Sequence, residues 1–109
     1  MATYFLDLDG TVFFRGTNAF TPGTEQWLKN VKSAGHKIII VTRRGDEEFE
    51  GHSIFSRQST LKMLKELRIE YDQIVFDVRN PRIIIDDEVC EAYQTERDSG
   101  AEKWKKIKT

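Results

Sequence analysis

Hydrophobic and polar positions along this chain fall into two patterns: short unbroken apolar runs, and stretches in which apolar residues recur at helical spacing. The first run, Thr3-Tyr4-Phe5-Leu6, leads through Asp7-Leu8-Asp9 into Gly10-Thr11. β-Branched, aromatic and aliphatic residues that end in a turn signal predict a buried strand. Asp-Gly between apolar residues also fits a hairpin turn, the competing local reading. Val12 to Phe20 shows no clean period and is expected to be a loop or flap beside the strand end. Thr21-Pro22 then suits a helix start, Thr as cap and Pro in the first position. Trp27, Leu28, Val31 and Ala34 follow at helical spacing, and Gly35 suits the left-handed stop, so the first helix is expected over about residues 22 to 34.

Lys37 to Thr42 is a continuous β-branched run of the kind buried on both faces in parallel sheets. The charged, glycine-bounded stretch Arg43 to His52 reads as a surface loop. A second helix is expected from about Ser56 to Leu67, with Leu61, Leu64 and Leu67 in the core. Gln73 to Phe76 predicts a third strand and Arg82 to Ile85 a fourth, which ends in Asp86-Asp87-Glu88. Ala92-Tyr93-Gln94 suits a fifth. Trp104 is expected to anchor a solvated face formed by Lys103, Lys105, Lys106 and Lys108.

Strands alternating with helices imply an α/β fold with parallel pairing through right-handed crossovers. At 109 residues and 39% hydrophobic content, residues 1–109 are expected to form one domain around one core. Seventeen basic against eighteen acidic side chains give a formal charge of −1, so no global field recruits nucleic acid or an anionic membrane, although local contact with nucleic acid is not excluded. The single cysteine, Cys90, cannot form an internal disulfide, and no signal-peptide pattern opens the chain. A cytoplasmic setting is expected, with no membrane partner.

Asp7 and Asp9, two residues apart on a strand, point to the same side. With Thr42 and the pair Asp86-Asp87 they would meet at the carboxyl edge of one sheet, where open α/β folds bind ligands. Carboxylates from two strands with a hydroxyl from a third make a small acidic pocket suited to a hard divalent cation, Mg²⁺ above all.

Asp7-Leu8-Asp9-Gly10-Thr11, the strand-final Thr42 and Ile83-Ile84-Ile85-Asp86-Asp87 together resemble the haloacid dehalogenase-like phosphohydrolases. Within them, Gly35 to Arg44 and the segment lengths look most like the small phosphatases found with capsule-biosynthesis genes and in phage genomes. The resemblance implies a Rossmann-like three-layer sandwich with a mainly parallel sheet of about five strands. Short insertions imply no cap domain, so the site would admit large substrates, such as a nucleic-acid 3′ end, or borrow a lid from a neighbouring subunit in a homo-oligomer. It also implies a phosphate monoester as substrate, Asp7 as nucleophile through an aspartyl-phosphate, and Asp9 as general acid and base. Gly10, Thr11, Thr42 and Arg43 would contact the phosphoryl group. Asp7, the Asp9 carbonyl and Asp86-Asp87 would hold Mg²⁺. The family's lysine ahead of the fourth strand has no counterpart in Asp77 to Pro81, where Arg79 is the only cation. A non-catalytic module that binds metal or phosphate is therefore the rival reading. A receiver-type phosphoacceptor fits less well, because its acidic pair would sit on the first strand and its phosphorylated Asp on the third.

Overall fold

A computed structural model describes residues 1–45 and 55–107. Asp46 to His52 of the expected surface loop, and Lys108, lie outside the described residues. Three parallel strands, β1 (Thr3–Leu6), β2 (Lys37–Val41) and β3 (Gln73–Val75), form the main sheet in the order β1-β2-β3. Helices α1 (Thr24–Ser33) and α2 (Arg57–Glu66) make the two crossovers. The register pairs Leu6 with Ile40 and Val41 with Val75, so the three strands finish at one edge. Parallel pairing of β1 with β2 removes the hairpin reading of Asp9-Gly10.

The core is built where the apolar runs meet the helices: Leu6, Leu8, Val12, Phe13, Ile38 and Ile40 pack with Leu28 and Val31 of α1 and with Met63 and Leu64 of α2. β2 is fully buried only at Ile38 and Ile40, while Ile39 and Val41 are half-buried. Helix α2 begins as its sequence demands, Ser56 accepting a hydrogen bond from the Ser59 N–H at 3.2 Å. Its inner face runs Thr60, Met63, Leu64, and Leu61 is turned outward at 42% exposure. Leu61 is a correction, because the buried i, i+3, i+4 stripe is phased on Thr60 rather than on the leucines. Nor does Thr21 cap α1. The capping position is Gly23 at φ 76°, and the buried Thr21 hydroxyl donates instead to the Thr11 carbonyl at 2.7 Å, 2.6 Å from the Thr24 hydroxyl.

The expected single sheet of about five strands and full three-layer sandwich are not seen among the described residues. Arg82 to Ile85 forms no strand, and Ile83, Ile84 and Ile85 are 78%, 61% and 94% exposed. An unbroken apolar run is stable as a strand only when both faces are covered. Here it is followed by Asp86-Asp87-Glu88 and no helix, and its first residue is engaged elsewhere. The last two strands, β4 (Tyr93–Gln94) and β5 (Lys105–Lys106), pair antiparallel in a sheet of their own. Between them the chain straps across the amino-terminal half. The Asp98 N–H donates to the Gly10 carbonyl at 2.8 Å, the Arg15 N–H to the Asp98 carboxylate at 2.7 Å, and the Ala101 N–H to the Pro22 carbonyl at 3.1 Å. Gly100 (φ 96°) is needed there, since a side chain would strike the Pro22 backbone. Trp104 seats the strap edge-on against Trp27, ring centroids 4.8 Å apart, which meets the anchoring role expected of it. None of the helices is long and apolar enough to cross a membrane among the described residues.

Asp72 joins α1 to the sheet. Its carboxylate accepts from the Lys32 ammonium and the Ile38 N–H, each at 2.8 Å, and the first of these chiefly holds it below the usual aspartate value. A depressed folded-state value stabilises above the unfolded value of ~3.9, and that contribution is lost as pH falls through the lower folded value. Asp72→Asn is therefore expected to flatten the acid limb of a stability–pH profile; the same slope in both proteins would rule out this linkage.

Candidate active site

The carboxyl edge of the sheet opens into a cleft of about 310 Å³ lined by Asp7, Asp9, Asn80 and four arginines, Arg15, Arg43, Arg79 and Arg82. Asp7 is the residue after β1. Its Oδ2 accepts from the Thr11 hydroxyl at 3.0 Å and its Oδ1 from Arg82 Nη1 at 2.9 Å. The turn that makes this possible is local: the Thr11, Val12 and Phe13 N–H groups all donate to the Leu8 carbonyl, at 3.1, 2.9 and 3.0 Å. Gly10, at φ 84°, closes it with its N–H on the Phe13 carbonyl at 2.8 Å. Phe13 and Phe20 then bridge antiparallel, so Val12 to Phe20 is a folded flap.

Asp9 is turned into the protein, its side chain 4% exposed. Arg44 Nε and Nη2 hold its two oxygens at 2.9 and 2.8 Å in a fork. Arg44 itself is completely buried, its guanidinium carbon 4.8 Å from the Phe55 ring centre and 5.6 Å from that of Phe13, with Nη2 also on the Thr17 carbonyl at 3.1 Å. Its assignment to a surface loop is corrected: a guanidinium withdrawn from water against two phenylalanine rings is tolerated only where a carboxylate pairs with it, and Asp9 supplies that carboxylate.

Thr42 is fully buried, and its Oγ1 accepts from the Arg44 N–H at 3.1 Å, so it shapes the turn that aims Arg43 and Arg44. Arg43 and Arg79 line the cleft; Gly10, Thr11 and Thr42 do not. Asp86 and Asp87 are exposed and also lie outside the lining, Asp86 Oδ1 accepting from the Glu88 N–H at 2.9 Å. The sequence reading missed Arg44 and Arg82. Two aspartates at one strand end required two cations, and Arg44 stands three residues past the end of the strand beside them, which is the signal that could have found it.

The donors in the cleft do not fit Mg²⁺ as they stand. Among the described residues no three of Asp, Glu, His and Cys are grouped to hold a metal ion, and both cleft carboxylates are engaged by arginine. No curated protein and no solved structure matches the chain. A family model does, over residues 4–76, a span that takes in β1 from its second residue, both crossovers, β3, Asp7, Asp9 and Thr42, and ends before Arg79. On that match, which covers more than half of the sequence, the chain belongs to the haloacid dehalogenase-like hydrolases.

Proposed function

We propose that this hydrolase acts on phosphate monoesters, with Asp7 as its nucleophile. The observation that carries the reading is the Arg82–Asp7 pair at 2.9 Å in an arginine-lined cleft at the strand ends. A phosphoryl dianion can approach a carboxylate only where positive charge is already in position. Asp7 would attack phosphorus, forming an aspartyl-phosphate as the ester P–O bond breaks. Asp9 would give a proton to the departing oxygen and take one from the water that then cleaves the acyl phosphate. To do so it must release one oxygen from Arg44. Thr11 would keep Asp7 oriented, Arg43 and Arg79 would hold phosphoryl oxygens, and Thr42 would support the turn carrying Arg43.

Members of the family typically use Mg²⁺ to shield the charges that meet in such a site. Asp86 and Asp87 would have to come to the cleft to hold it. A double Asp86→Asn, Asp87→Asn variant tests this: loss of turnover that added Mg²⁺ restores brings the pair to the site, and full turnover leaves the charge to the arginines. The fork on Asp9 favours one rival, a phosphate-binding module without turnover. Assay of aryl and alkyl phosphates with and without Mg²⁺ separates the two, since the module hydrolyses none of them.

Arg82→Ala is expected to lower turnover by ~10²-fold or more, the usual loss for one preorganised electrostatic contact. Arg82→Lys should recover part of it. Both partners of the pair are about one-quarter exposed, so melting temperature should change little. A full rate in Arg82→Ala would move the role to Arg79.

A further inference from the structure

We infer that Asp98, in the carboxy-terminal strap, is a positioning residue that holds the flap in place as one wall of the cleft. The inference deepens the reading above and rests on it, and it gives the chain beyond the family-matched residues 4–76 a share in the site. Asp98 bridges the turn after β1 and the flap that follows it. Its N–H donates to the Gly10 carbonyl at 2.8 Å, and its Oδ1 accepts from the Arg15 N–H at 2.7 Å. The flap tip closes on itself, the Phe14 N–H donating to the Ala19 carbonyl at 2.9 Å, and the Thr17 N–H and hydroxyl to the Phe14 carbonyl at 3.0 and 2.8 Å. The Arg15 N–H takes no part in that closure and goes to Asp98 instead. The Arg15 side chain lines the cleft, so the residue that Asp98 grips is one that shapes the site.

Asp98 makes both contacts from a left-handed backbone at φ 65°, a region that non-glycine residues seldom adopt and that Asp and Asn tolerate best. Such a conformation persists only where its surroundings over-determine it. The loop that carries it is stiff: the Thr95 and Ser99 hydroxyls lie 2.6 Å apart, and the Ser99 hydroxyl and N–H donate to the Glu96 carbonyl at 2.8 and 3.2 Å. On its other side the flap is held by Arg44 Nη2 on the Thr17 carbonyl at 3.1 Å. Loss of the Asp98 carboxylate leaves that contact and the Gly10 contact in place, so Asp7 and Asp9 keep their setting while the Arg15 wall loosens. A substrate that must first order a wall of its site binds in proportion to the fraction already ordered. The effect therefore falls on KM and not on kcat.

Asp98→Gly removes the carboxylate and suits the same φ, whereas Asp98→Asn keeps an acceptor oxygen for the Arg15 N–H. Steady-state hydrolysis of an aryl phosphate is expected to show KM raised ~10-fold in Asp98→Gly, the scale of one hydrogen bond to a charged group, with kcat within ~3-fold. Asp98→Asn should recover most of that loss. Ser99→Ala loosens the strap loop without touching the flap and should leave both constants unchanged. Equilibrium binding of inorganic phosphate reads the same wall without turnover, and its Kd should follow KM across the variants. An unchanged KM in Asp98→Gly overturns the inference, as does a loss confined to kcat, a loss that Asp98→Asn does not recover, or the same loss in Ser99→Ala. If Asp98→Gly fails to fold, Asp98→Ala is read in its place. Phosphate binding that weakens in Asp98→Gly, in a chain that hydrolyses no ester, would keep this inference and remove the phosphohydrolase; aryl phosphate turnover with one KM in every variant would do the opposite. A chain that neither hydrolyses esters nor binds phosphate loses both.

Discussion

Arg44→Ala is expected to lower folding stability by about 3–5 kcal/mol, the range for removing one partner of a buried ion pair. The guanidinium is wholly buried against the Phe13 and Phe55 rings, and its loss leaves the Asp9 carboxylate without its cation and a cavity beside it. For a domain of this size such a loss lowers the melting temperature by upwards of ~10 °C. Arg44→Lys should recover little, because an ammonium cannot reproduce the two-point fork. A double Arg44→Met, Asp9→Leu variant should regain much of the lost stability, since the cost lies in the stranded charge. Urea unfolding measures all three; a deficit under ~1 kcal/mol for Arg44→Ala would mean that Asp9 is reached by water and the pair is not buried in solution.

Asp7→Asn should lose turnover by ~10⁴-fold or more, as expected when a nucleophile is removed. An amide cannot attack phosphorus, yet it keeps the shape and the hydrogen bond from Thr11. Repulsion between Asp7 and Asp9 is already answered by Arg82 and Arg44, so relieving it adds nothing, and stability should stay within ~1 kcal/mol. Circular dichroism and urea unfolding check the fold, and steady-state hydrolysis of an aryl phosphate checks the chemistry. Turnover persisting in a homogeneous Asp7→Asn preparation would assign the nucleophile elsewhere.

What could be read from the sequence was whatever depends on one segment and its immediate neighbours. Tyr4 to Leu6 and Ile38 to Ile40 announce strands because β-branched and aliphatic runs tolerate little else, and Ser56 announces α2 because a hydroxyl at that point satisfies its first amides. The placement of Asp7 and Asp9 at a strand end followed from the same local logic. Partners distant in sequence were not legible. Arg44 has the composition of a surface loop and becomes a core residue only because Asp9, 35 positions earlier, is folded toward it. Arg82 reads as the head of a strand and is held instead at Asp7, 75 positions away. Ile83 to Ile85 carry strand propensity without a covering layer, and propensity yields to burial.

Trp27 and Trp104 are the only tryptophans in the sequence, and they touch each other where the strap meets α1. Tryptophan emission from this protein therefore comes from a single spot. It will report the release of the carboxy-terminal strap from α1 during unfolding, and it will stay silent on events confined to the arginine cleft, which have to be followed by an extrinsic label or by heat.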